Sequence, residues 1–215
     1  MRVRALAVTT ALALAATGLT ACTSKIGQAA VVGDHRISLK TVDSYVDPKG
    51  PNLAALRGSP IAVRPIVLTT LVKRTLFTLA LRKTSGGVPS ASTLKAKYYD
   101  TVAQQLTQGA LKGGAEFDKE LTGQIVNSGF RASFVPVFLE TAELNIALIS
   151  QAKVNSDAQY AAAIGKANVH VSINPRFGAW DASTATISTT SGAGIPSFVT
   201  IGPDTQTTAT PVAGQ

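Results

Sequence analysis

Two short segments with the pattern of β-strands lie near opposite ends of the chain, and they constrain its fold more than any other feature. Residues 29–32 are a short apolar run, and the Gly33-Asp34 pair after them favours a type II′ hairpin turn into a second short strand. Residues 168–173 alternate polar and apolar side chains, which is the pattern of a strand with one buried face. We therefore predict that the two segments pair in one small sheet and that the residues between them belong to a single domain.

The residues between the strand segments have the apolar spacing and the start and stop signals of helices. Ser38 is placed to cap a short helix that Pro48 ends, and Pro65 suits the first turn of a long helix. That long helix is apolar over most of its circumference, so we expect it at the centre of the core. The predicted fold class is mainly α with a small β-sheet. Five helices are predicted, at residues 38–48, 65–83, 90–109, 117–126 and 131–153.

The start of the chain has the pattern of a lipoprotein signal. Arg2 and Arg4 precede an apolar run at residues 5–16, which is shorter than the about 20 residues needed to span a bilayer. Residues 19–22, Leu-Thr-Ala-Cys, match a lipobox, and Cys22 is the only cysteine of the chain. We predict that Cys22 is the lipid-attachment site and that the lipid holds the protein on the extracytoplasmic face of the cell membrane. A secreted protein with a free cysteine is the alternative.

Composition divides the chain into four parts. Residues 1–21 are the predicted signal peptide, residues 22–28 a lipid-anchored linker and residues 29–182 the folded domain. Residues 183–215 are rich in Ser, Thr, Ala, Gly and Pro, so we expect a flexible tail that buries no core. Truncation after about Ser183 is therefore expected to leave folding intact.

The chain is basic, but its basic residues are spread out. It has 20 Lys and Arg against 12 Asp and Glu, a formal net charge of +8, and removal of Arg2 and Arg4 with the signal leaves +6. Runs of basic residues with interleaved aromatic residues do not occur, which argues against nucleic-acid binding and favours a solvated surface. An anionic membrane surface or wall polymer is a suitable neighbour for such a surface.

Residues that commonly carry catalysis or bind metal are few in this sequence. His35 lies in the predicted hairpin and His170 on the polar face of the predicted closing strand, so pairing of the strands could make them neighbours. Zinc needs three or four ligands, however, and there is no third histidine or second cysteine. Glu140 and Glu143 are close on one predicted helix, and we interpret them as a solvated face rather than an acid–base pair. Nucleophile-elbow and phosphate-loop motifs do not occur. We predict no enzyme activity, no cofactor and no metal site.

A specific motif follows the last predicted strand. Residues 174–181 read Asn-Pro-Arg-Phe-Gly-Ala-Trp-Asp, which is similar to the Asn-Pro-Arg-Tyr-Gly-x-Trp-Asp segment of actinobacterial lipoproteins. Together with the lipobox, the strand-to-helix start and the long apolar helix, this motif makes residues 29–181 resemble the N-terminal chaperone domain of the SurA and PrsA periplasmic foldases. The resemblance implies a helical domain closed by a small sheet. The hairpin turn departs from the family, which usually has Asn-Gly where this chain has Gly33-Asp34.

The foldases of this type also carry a parvulin-type prolyl isomerase domain between the last helix and the closing strand. Such a domain needs on the order of a hundred residues. Here Asn168 follows Lys153 by only 15 positions. The resemblance therefore implies a form without the isomerase, and prolyl isomerisation is the least favoured of the functions considered.

The function implied by the resemblance is that of a membrane-anchored holdase, which binds unfolded or secreted polypeptides without catalysis. The alternative is a cell-envelope interaction or assembly protein that binds one fixed partner. We interpret Trp180 first as a lid on the core, and Arg176 as a residue that fixes the turn after Pro175 by bonding carbonyls or a carboxylate. The candidate peptide-binding or core-lid residues are the aromatic side chains Tyr45, Phe77, Phe134, Phe138 and Trp180.

Overall fold

The computed structural model describes residues 27–47 and 63–188. The predicted mainly helical fold with a small antiparallel sheet is confirmed. The helices are α1 (Leu39–Asp43), α2 (Val63–Leu81), α3 (Ala91–Leu106), α4 (Ala115–Asn127), α5 (Val135–Ala152) and α6 (Asp157–Gly165). The strands are β1 (Gln28–Val32), β2 (His35–Ser38), β3 (Val171–Ile173), β4 (Ala179–Asp181) and β5 (Thr186–Ser188), and short 3₁₀ helices lie at Ala132–Phe134 and Pro175–Phe177.

The predicted pairing of the two distant strand segments is confirmed. β1 is the middle strand of an antiparallel sheet in the order β2-β1-β3, and Val32 lies opposite both His35 and Val171. β3 is shorter than predicted and starts at Val171. β1 ends at Val32, and the Gly33 N–H of the turn donates to the His170 carbonyl at 2.9 Å, so the strand pairing ends there; the left-handed backbone of Asn168, with φ 48°, lies just before.

The turn between β1 and β2 has the geometry expected of its glycine. Gly33 has φ +58°, whereas Asp34 is not left-handed, so only the first central residue of the turn has a positive φ, as in a type II′ turn. A Cβ at Gly33 would also lie 3.0 Å from the side chain of Val169. The turn conformation and the close approach of the segment before β3 therefore both require glycine here.

α1 has the predicted cap but ends earlier than predicted. Ser38 Oγ accepts a hydrogen bond of 3.0 Å from a backbone N–H of the first turn. The helix stops at Asp43 because the chain then turns to form an antiparallel bridge between Val46 and Phe130. Pro48, the predicted stop signal, lies outside the described residues.

α2 is the central helix, as predicted. It packs against α5, α6 and β1, and its buried residues cover most of its circumference. It starts at Val63, so Pro65 lies in the first turn, where a missing N–H breaks no helical hydrogen bond. The last residue is Leu81, slightly before the predicted end.

The next three helices follow the predicted segments with small changes at their ends. Ser90 Oγ caps α3 by accepting from the Thr93 N–H at 3.2 Å. The predicted fifth helix begins as a 3₁₀ turn and continues as α5, with Pro136 in the first turn of α5. α3 packs along α5, which in turn packs along α2, so these three helices form the centre of the helical layer.

The prediction of five helices is wrong for the described residues, because α6 occupies the interval between α5 and β3. Ser156 Oγ caps α6 by accepting from the Gln159 N–H at 3.3 Å. Tyr160 is buried, and its hydroxyl donates to Asn145 Oδ1 over 2.8 Å. This bond fixes α6 on α5. Desolvation raises the pKa of Tyr160 well above its usual range, so its hydroxyl stays a donor.

The predicted tail begins too early. β5 pairs antiparallel with β4, and Ile187 lies opposite Trp180. Ile187 is only 4% exposed and Ala185 is fully buried, so both add to the core. The predicted boundary after residue 182 is therefore wrong, and truncation after Ser183 would remove a buried strand.

Several predicted parts of the chain lie outside the described residues. These are the signal peptide at residues 1–21, the lipid-attachment site Cys22, most of the linker at 22–28 and residues 189–215 of the tail. In the two ranges that the structure describes, no helix has the length and apolar character to cross a bilayer.

Candidate functional site

Three of the aromatic side chains predicted as a binding surface are buried in the core. Phe77, Phe134 and Phe138 have almost no exposed surface. The ring centroid of Phe134 lies 5.0 Å from that of Phe130, 5.7 Å from that of Tyr45 and 6.3 Å from that of Phe138. Aromatic rings at these separations stabilise a packed interior. The three buried phenylalanines have no accessible face for a peptide.

The other two predicted aromatic residues lie at the margin of the core. Tyr45 follows α1 and packs on Phe134, whereas Trp180 lies in β4 opposite Ile187. Both side chains are half-buried. Ring contacts between Trp180 and other aromatic residues are absent from the described part of the chain. The five predicted residues therefore do not form one surface.

The motif at residues 174–181, which we call the closing segment, is bonded to the sheet through Asn174. The Asn174 N–H donates to the Ala29 carbonyl at 2.9 Å, and Asn174 Nδ2 donates to the Gln28 carbonyl at 3.0 Å. Asn174 Oδ1 accepts from the Arg176 N–H at 3.3 Å. One residue thus joins β1 to the 3₁₀ turn that follows β3.

The later residues of the closing segment also have local structural roles. Phe177 is buried, and Gly178 has φ +113° at a point where a Cβ would overlap the backbone oxygen of Ser188. The Asp181 carboxylate accepts from the hydroxyl and the backbone N–H of Ser183 at 2.6 and 2.8 Å. These bonds favour the ionised form and lower the pKa of Asp181. The motif is accounted for by the fold.

Arg176 does not fix the turn in the predicted way. Its side chain is exposed, and its guanidinium lies 4.9 Å from the centroid of the Phe177 ring. Among the described residues, no hydrogen bond joins that guanidinium to a carbonyl or a carboxylate. The turn after Pro175 is held by Asn174 instead, so the prediction for Arg176 is wrong.

A groove of about 230 Å³ lies along β1 and the end of β3, and we call it the sheet groove. Its lining is mostly apolar and has no titratable side chain. The volume is below the about 300–1,000 Å³ of typical small-molecule sites, so it suits one or two apolar side chains. The lining residues are Gln28, Ala29, Ala30, Val31, Ser172, Ile173, Asn174 and Pro175.

β3 forms one edge of the sheet, and its hydrogen-bond register fixes where its backbone groups point. The Asn174 N–H is directed at Ala29 of β1, and antiparallel strands alternate inward and outward groups. The backbone N–H and C=O groups of Ser172 therefore point towards β1, while those of Val171 and Ile173 point away from it. In the described ranges, no hydrogen bond occupies these outward groups. We call this row of groups the β3 edge; such an edge is a template for another strand.

The interface of α2 and α5 contains a second, much smaller cavity, whose surface is mostly apolar although several polar residues line it. Its volume of about 20 Å³ has room for about one water molecule. Desolvation lowers the pKa of Lys73 in this interface to about 8. The cavity is too small for a substrate, so Lys73 has no reaction partner there. The lining residues are Thr69, Thr70, Lys73, Phe77, Phe138, Thr141 and Asn145.

The interpretation of Glu140 and Glu143 as a solvated face is wrong for Glu143. Glu143 is 7% exposed, and burial raises its pKa to about 6, with the Lys95 cation opposing this change. Glu140 instead forms an ion pair with Arg74 at 2.8 Å. A raised carboxyl pKa is a feature of acid–base catalysts, but this carboxyl adjoins neither of the two cavities described above.

The histidines flank the central strand of the sheet without meeting at one site. His35 is in β2 and His170 precedes β3, with β1 between them. Across residues 27–47 and 63–188, no group of three or more His, Cys, Asp or Glu side chains is arranged to hold a metal ion.

Comparison with known proteins found no matching family model, no matching curated protein and no matching solved structure. The sheet groove and the β3 edge were not predicted from the sequence. Their residues are small or ordinary strand residues, so residue type carries no signal there. The signal that was available is the strand pairing itself, because it leaves β3 at an edge.

Proposed function

We propose that this chain is an extracytoplasmic lipoprotein that binds extended apolar segments of unfolded or secreted polypeptides without catalysis. The observation that carries the proposal is the sheet groove lying beside the β3 edge. An extended peptide needs backbone partners and a place for alternate side chains, and β-strand addition supplies both. The outward groups of Val171 and Ile173 are the backbone partners, and the sheet groove receives the side chains.

The chemistry of the groove favours broad rather than selective binding. No charged side chain lines it, so charge plays no part in selecting a client. Burial of one apolar side chain contributes about 1.5–3 kcal/mol before ordering costs are subtracted. One or two side chains therefore give weak and reversible binding, which suits a holdase.

The predicted lipid anchor adds a location to this binding mode. Cys22 precedes Gln28, the first residue of β1, by six residues. Six extended residues span at most about 20–22 Å. A chain anchored in this way holds its sheet close to the membrane surface, where exported polypeptides emerge.

The proposal is tested by aggregation suppression with two unrelated unfolded clients. Val171→Pro removes an outward N–H from the β3 edge while leaving the bonds to β1, because proline is tolerated at the first residue of an edge strand. Val171→Thr is the matched control that keeps the N–H. We expect the wild type and Val171→Thr to suppress aggregation of both clients, and Val171→Pro to lose most of this activity.

Thermal melts of the same proteins show whether each variant is folded. Equal suppression by a folded Val171→Pro variant would contradict binding at the β3 edge. Suppression of one client alone would favour the alternative function, an envelope assembly protein with one partner.

Anchoring has its own test. Cys22→Ala removes the only thiol that a diacylglyceryl group can modify. We expect the variant to leave the membrane fraction or to remain as a larger precursor. Unchanged fractionation together with unchanged electrophoretic mobility would show that Cys22 is not the anchor.

A further inference from the structure

We infer that residues 198–201 of this chain, Phe-Val-Thr-Ile, add to the β3 edge as a further strand when no client is bound. The inference rests on the proposed function in one respect: the segment occupies the surface that we assign to clients and competes with them.

The sequence of this segment is suited to a strand. Phe, Val, Thr and Ile are all favoured in β-structure, and Pro196 and Gly202 bound the run. The large apolar residues after Ser188 are Ile195, Phe198, Val199, Ile201 and Val212, and three of these five lie within residues 198–201.

The connection is long enough to reach the edge. Ser188 pairs with Ala179, which follows Asn174 of the groove wall by five residues. Five residues span at most about 18 Å and antiparallel partners lie about 5 Å apart, so Ser188 is within about 23 Å of Asn174. Ten residues lead from Ser188 to Phe198, and they span up to about 33–36 Å.

Tethering and charge both favour this occupant over a second molecule. A short connection gives a tethered segment an effective concentration in the millimolar range, so a weak strand contact is populated. Residues 189–202 contain no charged side chain, and neither does the lining of the sheet groove. Pairing therefore removes no charge from water.

Hydrogen exchange of the full chain, without any client, tests the inference. The backbone N–H groups of Val171 and Ile173 face away from β1, so only a strand on the β3 edge protects them. Val199→Pro removes a donor from the centre of the segment, and Thr207→Pro is a matched control outside it. We expect exchange at Val171 and Ile173 to be at least about ten-fold faster in Val199→Pro than in the wild type and in Thr207→Pro.

Each other result overturns the inference. Fast exchange of both N–H groups in the wild type would mean that the edge is open. Slow exchange in Val199→Pro would mean that another group covers the edge, and dependence on protein concentration would identify a second copy. Because no client is present, this result is independent of the aggregation assay. A proposed function that fails and an inference that fails are thus distinguishable.

Discussion

The α2–α5 interface and the sheet groove differ in how they combine space with chemistry. The interface contains Lys73 with its lowered pKa, but its cavity holds about one water molecule at about 20 Å³. The sheet groove has about 230 Å³ and no titratable side chain.

This difference separates two functions of polar groups: catalysis by titratable side chains and binding of a polypeptide by backbone groups. Catalysis needs a perturbed titratable group and a bound substrate at the same place, and neither region has both. The sheet groove instead offers space beside unpaired backbone groups, which is suited to holding a polypeptide. The groups with shifted pKa values in the helical layer affect stability, and their effects are measurable.

The largest expected effect is loss of packing in the helical layer. Leu76 is buried in α2, and Leu76→Ala is expected to lower the free energy of unfolding by about 2–5 kcal/mol. Leu79→Ala, at a half-buried position of the same helix, is the matched control and should cost less. Denaturant titration of both variants measures the difference. Equal losses would mean that the side chain of Leu76 is no more closely packed than that of Leu79.

Lys73→Met tests whether the partly buried Lys73 cation opposes folding. The native pKa of about 8 lies below the unfolded value of 10.5, so at pH 7 the charge is present in both states and is penalised only in the folded one. The variant is expected to be more stable at pH 7, by at most about 3 kcal/mol. Wild-type stability should rise relative to the variant as the pH increases from 8 to 10.5.

The control for this pH dependence is Lys83→Met, since Lys83 is exposed just beyond α2. Thermal melts of the three proteins across this range measure the effect. A difference between wild type and Lys73→Met that does not change with pH would place the Lys73 ammonium in water.

Gly178→Ala tests the sheet side of the comparison. The new Cβ meets the Ser188 backbone, and the residue keeps φ +113°, so we expect a loss of about 1–3 kcal/mol. Gly123→Ala is the matched control: it lies in α4 with open space around its Cβ position, and it should stabilise by up to about 1 kcal/mol. Two variants with the same melting temperature would show that β4 and β5 add little to the fold.

Glu143→Gln has the smallest expected effect, and its sign is the informative part. The native pKa of about 6 lies above the usual 4.5, so the wild type loses stability as the pH rises from 4.5 to 6. The variant should be more stable at pH 7, by up to about 2 kcal/mol, and this advantage should vanish below about pH 4.5. Glu116→Gln, at an exposed position of α4, should show no such dependence in the same melts.

Prediction from the sequence succeeded where local signals and burial agree. The caps at Ser38 and Ser90, the central helix and the pairing of the distant strands are local or periodic patterns, and the structure confirms them. α6 was missed because its Ala-rich sequence has few large apolar residues. It is held by tertiary contacts, the burial of Tyr160, Ala163 and Ile164 and the Tyr160–Asn145 bond, which no local pattern reveals.

The candidate site could not be predicted in the same way. Aromatic side chains were the reasonable choice for a peptide surface, but Phe77, Phe134 and Phe138 are the residues that the core needs most. Likewise β5 lies in a Ser- and Thr-rich stretch, where Ile187 is the only large apolar residue of the strand. Its burial depends on Gly178 and β4, and so on tertiary contacts.

The position of β1 between β2 and β3 also has a consequence for the order of folding. The β1–β2 hairpin closes over a two-residue turn, and such hairpins form in about 1–10 μs. Val32 and Val171 are 139 residues apart, and closing a loop of that length costs about 4 kcal/mol in chain entropy beyond a constant. Contacts of such long range slow folding. In a chain that is synthesised or exported from its N-terminus, one side of β1 therefore stays unpaired until nearly the whole domain, including β3, has emerged.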